Sequence, residues 1–184
     1  MPTDINSSSS LPSPWAGFLD EVDTFLSRPV ELHCLGGFVL TALYGLPRPT
    51  GDIDYIAAVP GDEIEALQEI AGPSSTLARK YRVHVQYVTV AEVPEEYETR
   101  LVEIFPHRFS HLRLRALDPH DIVLSKITRN SPVDDADVGF LATTGAVDPS
   151  VLWDRYQREL RPRLGNQERH DLTLRLWLEA HFQG

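Results

Sequence analysis

Two carboxylates stand two residues apart in Gly51-Asp52-Ile53-Asp54-Tyr55-Ile56, where acidic and apolar residues alternate. Period two is that of a β-strand, so Asp52 and Asp54 share a face, their Cα atoms roughly 6.5–7 Å apart. Hard divalent cations take oxygen ligands and stabilise the oxygens of a phosphoryl group undergoing displacement. Upstream, the apolar run Val30 to Leu35 stops at Gly36 and Gly37. Without Cβ atoms these glycines let backbone N–H groups come close to an anion. The apolar segment Phe38 to Leu46 reads as a helix whose N-terminus faces the same anion. Taken singly, Gly-Gly is a tight turn and Asp-x-Asp a solvated strand face. The order strand, glycine turn, helix, loop, acidic strand joins a phosphate cradle to a carboxylate pair, an arrangement suited to phosphoryl displacement.

On these residues, the stretch from Leu35 to Tyr55 resembles the signature of the polymerase-β-type nucleotidyltransferase superfamily: Gly-Gly or Gly-Ser, a spacer, then Asp-x-Asp. The spacer, Phe38 to Gly51, is slightly longer than in the commonest form. Arg48-Pro49-Thr50-Gly51-Asp52-Ile53-Asp54 is similar to the Arg-x-Thr-x-Asp-x-Asp form of AbiEii-like toxin nucleotidyltransferases. The resemblance implies an α/β (α+β) fold, a small mixed sheet flanked by helices with C-terminal helices closing the cleft. It implies transfer of a nucleoside monophosphate from a nucleoside triphosphate to an acceptor hydroxyl, RNA and tRNA ends being favoured and a protein side chain or a small antibiotic-like hydroxyl being the alternatives. The implied cofactor is Mg2+ (or Mn2+), and the implied biology a toxin with a cognate antitoxin protein. In that mechanism Asp52 and Asp54 bind the metal, and Gly36 and Gly37 offer donors to the phosphates. Lys126, with Arg48 and Arg129, neutralises charge, and Thr50 orders the acidic strand or contacts a phosphate.

A second block lies downstream. Asp118-Pro119 starts a helix, with an N-cap acceptor followed by proline at the first position. Along Asp121 to Arg129, Lys126 and Arg129 are three apart and share a face, an arrangement suited to a triphosphate. Asn130-Ser131-Pro132 breaks this helix, and the stretch from Asp134 to Leu141 opens another with acids in its first turn, where the helix dipole favours them. Lys126, Arg129, Asp134 and Asp137 are similar in order to the second conserved block of the AbiEii-related proteins. The resemblance points to Lys126 for phosphate and to Asp134 as a replacement acid.

A replacement is needed because of one departure from the pattern. Tyr81 to Val90 reads as a strand, where the superfamily carries a third acid on the face of the first two. Gln86 occupies that place, with His84 two residues earlier on the same face. Glutamine brings no charge and cannot act as a base, whereas His84 is a base or a structural partner. The alternative function is therefore a non-catalytic nucleotide-binding or antitoxin-like partner that has lost the third acid.

The elements that must position these groups follow from periodicity. Residues 1–12 read as a Ser-rich disordered tail, 13–117 as an α/β core and 118–184 as a helical part of one domain. Trp15, Phe18, Leu19, Val22, Phe25 and Leu26 recur at helical spacing after Ser13-Pro14. A second helix carries Ile64, Leu67 and Ile70 and ends at Gly72-Pro73, and a short helical piece spans Ser74 to Lys80. Pro94 to Phe105 reads as a helix and His111 to Leu117 as a strand. The remaining helices put Val151, Leu152 and Tyr156 inward, then Leu172, Leu176 and Ala180 with Trp177.

Composition excludes other classes. At 184 residues with 42% hydrophobic and 24% charged residues, the chain is an ordinary globular domain. No apolar run is long enough for a membrane span, and the Ser-rich start lacks the parts of a secretory signal, so a cytoplasmic location is expected. Cys34 is the single cysteine, which excludes an internal disulfide, and it reads as a small buried hydrophobe. A net charge of −10 repels nucleic acid except where basic residues group, as Arg155, Arg158, Arg161 and Arg163 do. That stretch is either a solvated helix face or the surface that touches RNA or an acidic partner. No Gly-x-Ser-x-Gly, Walker-type or His-Glu-x-x-His motif occurs.

Overall fold

The computed structural model describes residues 11–48 and 50–183. Most of the expected tail, and Pro49 of the proline-bounded loop, lie outside them. Leu11, near the tail's expected end, is buried. The chain divides into two compact units. One takes residues up to Thr89 together with Val102–Ala116, and the other takes Val90–Leu101 and everything from Leu117 onward.

The first unit is built on a five-stranded mixed sheet of β1 (Val30–Leu35), β2 (Asp52–Val59), β3 (His84–Tyr87), β4 (Val102–Ile104) and β5 (Leu112–Ala116), in the order β3-β2-β1-β5-β4. Pairs β1/β2 and β4/β5 are antiparallel, and β1/β5 and β2/β3 are parallel. Alternation divides the sheet into two faces. Val30, Leu32 and Cys34, Ile53 and Tyr55, Val85, and Leu112 and Leu114 are buried on one of them. The other carries Asp52, Asp54, His84 and Gln86, with Glu31, His33, Arg113 and Arg115 further along.

Among the described residues, this unit also holds the α-helices α1 (Trp15–Phe25), α2 (Gly36–Tyr44), α3 (Ile64–Ala71) and α4 (Thr76–Tyr81). Trp15 of α1 meets Phe38 of α2 edge to face at 5.1 Å, and Gln68 of α3 donates to the Tyr55 hydroxyl at 2.9 Å. Phe25, expected in the core, is 58% exposed because it falls on the outer side of the last turn of α1. Asp23, one turn from the end of α1, is buried and accepts the backbone N–H groups of Ser110, His111 and Leu112 at 2.7–2.9 Å, tying the helix to the start of β5.

Two strand expectations are corrected. Of Tyr81 to Val90 only His84–Tyr87 pairs; Tyr81 closes α4, and Arg82 turns the chain in a left-handed conformation at φ +56°. Pro94 to Phe105 is not a helix. It holds a 3-10 turn, Tyr97–Arg100, and then β4, which pairs antiparallel with β5. Tyr97, Leu101 and Ile104 mimic helical spacing, but hydrogen bonding to β5 selects the strand.

The second unit holds α5 (Pro119–Ser125), α6 (Pro132–Thr144), α7 (Pro149–Arg155), whose end continues as a π turn and a 3-10 turn to Arg163, and α8 (Gln167–His181). Asp118 caps α5 as expected, and Ser131, Asp148 and Asn166 likewise cap their helices with a side-chain oxygen, so that α6 opens at Pro132 rather than at Asp134. Two inward faces differ from expectation. Val151 points outward, and in α8 Leu172 and Leu176 are more than half exposed while Leu174 and Trp177 are buried with His170 and Thr173. The helix presents two candidate stripes, and the one bearing the indole is the buried one.

Candidate active site

The first block of candidates converges within the first unit. α2 begins at Gly36 itself, whose φ of +76° makes the turn out of β1, so glycine bend and helix start coincide. A Cβ at Gly36 would lie 2.4 Å from Asp54 Oδ2, so the carboxylate rests directly against the glycine. Register explains the placement, because Leu35, the last residue of β1, pairs with Asp54 across the antiparallel ladder. Gly37 faces the loop side: its hypothetical Cβ lies 3.4 Å from Thr50 Oγ1 and 3.6 Å from an Arg48 guanidinium nitrogen. Thr50 Oγ1 in turn accepts the Asp52 N–H at 3.3 Å, which fixes the start of β2.

Asp52 and Asp54 lie on the same face of β2, since Ile53 and Tyr55 between and after them are buried on the other. β3 runs parallel beside them, with Asp52 in register with His84 and Asp54 with Gln86. His84 Nε2 is 3.4 Å from Asp52 Oδ1, and the Gln86 amide donates to the Tyr87 carbonyl at 3.2 Å. No group of three or more His, Cys, Asp or Glu residues among the described residues is placed to hold a metal ion. Two carboxylates beside a neutral amide instead fit a cation that keeps several waters and completes its shell with substrate phosphates, as magnesium does. Cys34, close enough to sense the Asp54 charge, is buried; burial first and that charge second push its thiol far up, so it is inert.

The second block converges within the second unit. Lys126, buried at the end of α5, donates to Asp137 at 2.9 Å and to Asp134 at 3.4 Å. Arg129 grips Asp134 through both Nε and Nη2, at 2.7 and 2.5 Å. Asp134 also accepts the Ser131 N–H and hydroxyl, and Ser131 Oγ returns the bond to the Asp134 N–H, a capping box at the start of α6. Burial pushes the Asp134 carboxyl up, but the bonds from Arg129 and Ser131 and the Lys126 charge hold it well below the usual carboxylate range. The expected helix through Arg129 stops at Ser125, so Lys126 and Arg129 sit in the turn that follows α5, and both are directed at Asp134.

The basic stretch is internally paired. Arg155 bridges Asp118 and Asp121 at 2.7 and 3.0 Å, Arg158 pairs with Asp154 one turn back, Arg161 binds Asp171 at 2.8 Å, and Arg163 donates to the Val93 carbonyl. Arg100 joins Asp121 to Glu159. His120 links two helix starts: it lies 2.7 Å from Asp118 and accepts the Asp148 N–H at 2.9 Å, so Nδ1 carries the proton. Sequence reading missed the partners of Arg100, Arg155 and Arg163 because they lie 21 to 70 residues away.

No helix among the described residues is long and apolar enough to cross a membrane. No curated protein and no solved structure matches the chain. One family does, described as nucleotidyltransferase of unknown function (DUF6036), over residues 19–181, which span the glycine bend, the paired carboxylates and the helices of the second unit. With nearly the whole chain matched, the protein belongs to that nucleotidyltransferase family.

Proposed function

We propose that the protein transfers a nucleoside monophosphate from a nucleoside triphosphate to an acceptor, releasing pyrophosphate, with magnesium (or manganese) as cofactor. The observation that carries this reading is the Asp54 carboxylate lying against Gly36 at the start of α2, with Asp52 beside it on β2. The two carboxylates hold the cation, which when bound neutralises phosphoryl charge. Gly36 and Gly37 admit phosphate oxygens to the backbone N–H groups at the start of α2. Thr50 keeps Asp52 in place, and Arg48, beside Gly37, neutralises charge on the leaving phosphates.

A phosphate role for Lys126 and Arg129 requires a phosphate to replace Asp137 and Asp134 as their partner. The same quartet, neutral and mutually bonded, serves equally as the joint between α5 and α6. RNA, tRNA ends in particular, is the acceptor class that the resemblance to AbiEii-like toxins favours, and a toxin with a cognate antitoxin is the biological setting it implies. The paired arginines of residues 155–163 add no support for RNA.

The test is incubation with magnesium, each labelled nucleoside triphosphate, and total cellular RNA or protein, for wild type and Asp54→Ala. Label should enter an acceptor with wild type alone. Absence of transfer, or transfer that survives the substitution, refutes the reading. Gln86 in register with Asp54 favours a second one, a nucleotide-binding partner without catalysis. Calorimetry that shows tight nucleotide binding with no pyrophosphate release in any acceptor mixture supports it.

A further inference from the structure

The end of the sheet that bears the paired carboxylates also carries an exposed cation, Arg82. β2 and β3 run parallel and begin at this end, and β1, antiparallel to β2, finishes there with Leu35 opposite Asp54. The chain enters β3 from α4 through Arg82. Its N–H closes α4 on the Ala78 carbonyl at 2.8 Å, and its left-handed φ of +56° turns the backbone so that Val83 is buried and the His84 N–H reaches the Gly51 carbonyl at 2.9 Å. The Arg82 carbonyl packs on Gly51, where a Cβ would lie 3.3 Å from it. Arg82 is thereby pinned against the residue that precedes Asp52.

Two observations set this arginine apart. A left-handed residue that closes a helix is most often glycine, because a side chain is strained there, and an arginine holds the place. Among the described residues its guanidinium also pairs with no carboxylate. Its neighbours are held: Arg79 donates to the Ser74 carbonyl and the Thr76 hydroxyl, and Lys80 pairs with Glu21. With Arg48 beside Gly37 and the start of α2 at the glycine bend, Arg82 gives this end of a chain of net charge −10 a local positive rim. A planar guanidinium presents two parallel N–H groups, which match two oxygens of one phosphate.

We propose that Arg82 is a substrate-binding residue whose guanidinium takes a phosphate group at the end of the sheet where the glycine bend, Asp52 and Asp54 lie. This rests on the nucleotidyltransfer reading above and adds a residue to its binding surface. The phosphate comes from the nucleoside triphosphate or from a nucleic-acid acceptor, and the recognition is the same in either case.

The experiment uses the full chain with magnesium and measures, by calorimetry at fixed ionic strength, the binding of two probes. One is a nucleoside triphosphate analogue with a methylene group in place of the α,β-bridging oxygen; the other is a 5′-phosphorylated RNA oligonucleotide. Arg82→Gly removes the guanidinium and relieves the strained backbone, so the melting temperature should hold or rise while affinity for a probe falls on the order of tenfold, the scale of one charge-assisted contact. Arg82→Gln keeps the strain and should lose the same affinity, whereas Arg79→Ala, a charge removed three residues away, should bind as wild type does. A loss seen with the analogue assigns the phosphate to the nucleotide, and a loss seen with RNA assigns it to the acceptor. Affinities unchanged by Arg82→Gly, or lowered equally by Arg79→Ala, overturn the inference and leave nucleotidyltransfer standing. Failure of wild type to bind the triphosphate analogue overturns both.

Discussion

Gly36→Ala separates a strained backbone from a displaced Asp54 carboxylate, because Gly45 supplies a matched control. Gly36 and Gly45 adopt φ of +76° and +75°, at opposite ends of α2. An alanine in this left-handed region costs about 1–2 kcal/mol at either position. The surroundings differ: a Cβ at Gly45 meets nothing within 4 Å, whereas one at Gly36 lies 2.4 Å from Asp54 Oδ2. Ordinary contact requires that carboxylate to retreat by about 1 Å, and a misplacement of this size at a reacting centre costs on the order of a hundredfold in rate. Both variants should lose about 2–8 °C in Tm from the strained backbone, about 1–2 kcal/mol at this chain length, and Gly36→Ala should lose more through its contact with Asp54. Only Gly36→Ala should lose label transfer. In an Asp54→Ala background the extra stability cost at Gly36 should disappear, since the atom at 2.4 Å is gone. Equal effects of the two alanines on both stability and transfer, unchanged by Asp54→Ala, would refute the coupling of the glycine bend to the carboxylate.

Two further predictions concern the second unit. Lys126→Ala leaves Asp134 and Asp137 buried without their shared cation and should cost about 3–5 kcal/mol in urea unfolding; a loss under about 1 kcal/mol would argue that the quartet is not what joins α5 to α6. Burial raises the Asp118 carboxyl, but His120 and Arg155 bring it down to about 2, below its unfolded value. Its contribution is therefore present above about pH 4 and lost as pH falls through about 2. Asp118→Asn keeps the capping oxygen and removes the charge, so its stability relative to wild type should be lowest above pH 4 and converge towards pH 2. A difference that stays constant over that range would contradict the ion-pair origin of the shift.

Local patterns were legible because they depend on near neighbours. Alternation around Asp52 and Asp54 requires one face, whatever the sheet, and the strand of Gln86 is recognisable from its valines. The helix start at Asp118 follows from capping chemistry within a few residues. The segment 94–105 was misread because Val102–Ile104 is a strand only by virtue of β5, a partner outside any local window. The outward stripe of α8 was misassigned for a related reason: helical spacing defines stripes, but the packing surface decides which one is buried.

By itself, then, the sequence determined the glycine bend and the paired carboxylates of the first unit, the strand, helix, strand order that joins them, and the neutral residue beside Asp54. Tertiary structure alone decided that Asp54 presses on Gly36, that Asp23 anchors β5, that Lys126 and Arg129 pair with Asp134, and that Arg155 and Arg161 pair with Asp118, Asp121 and Asp171. The physical reason is range. Capping and periodicity act over one or two turns, while a charge finds its partner wherever folding brings one within a few ångströms, regardless of separation along the chain.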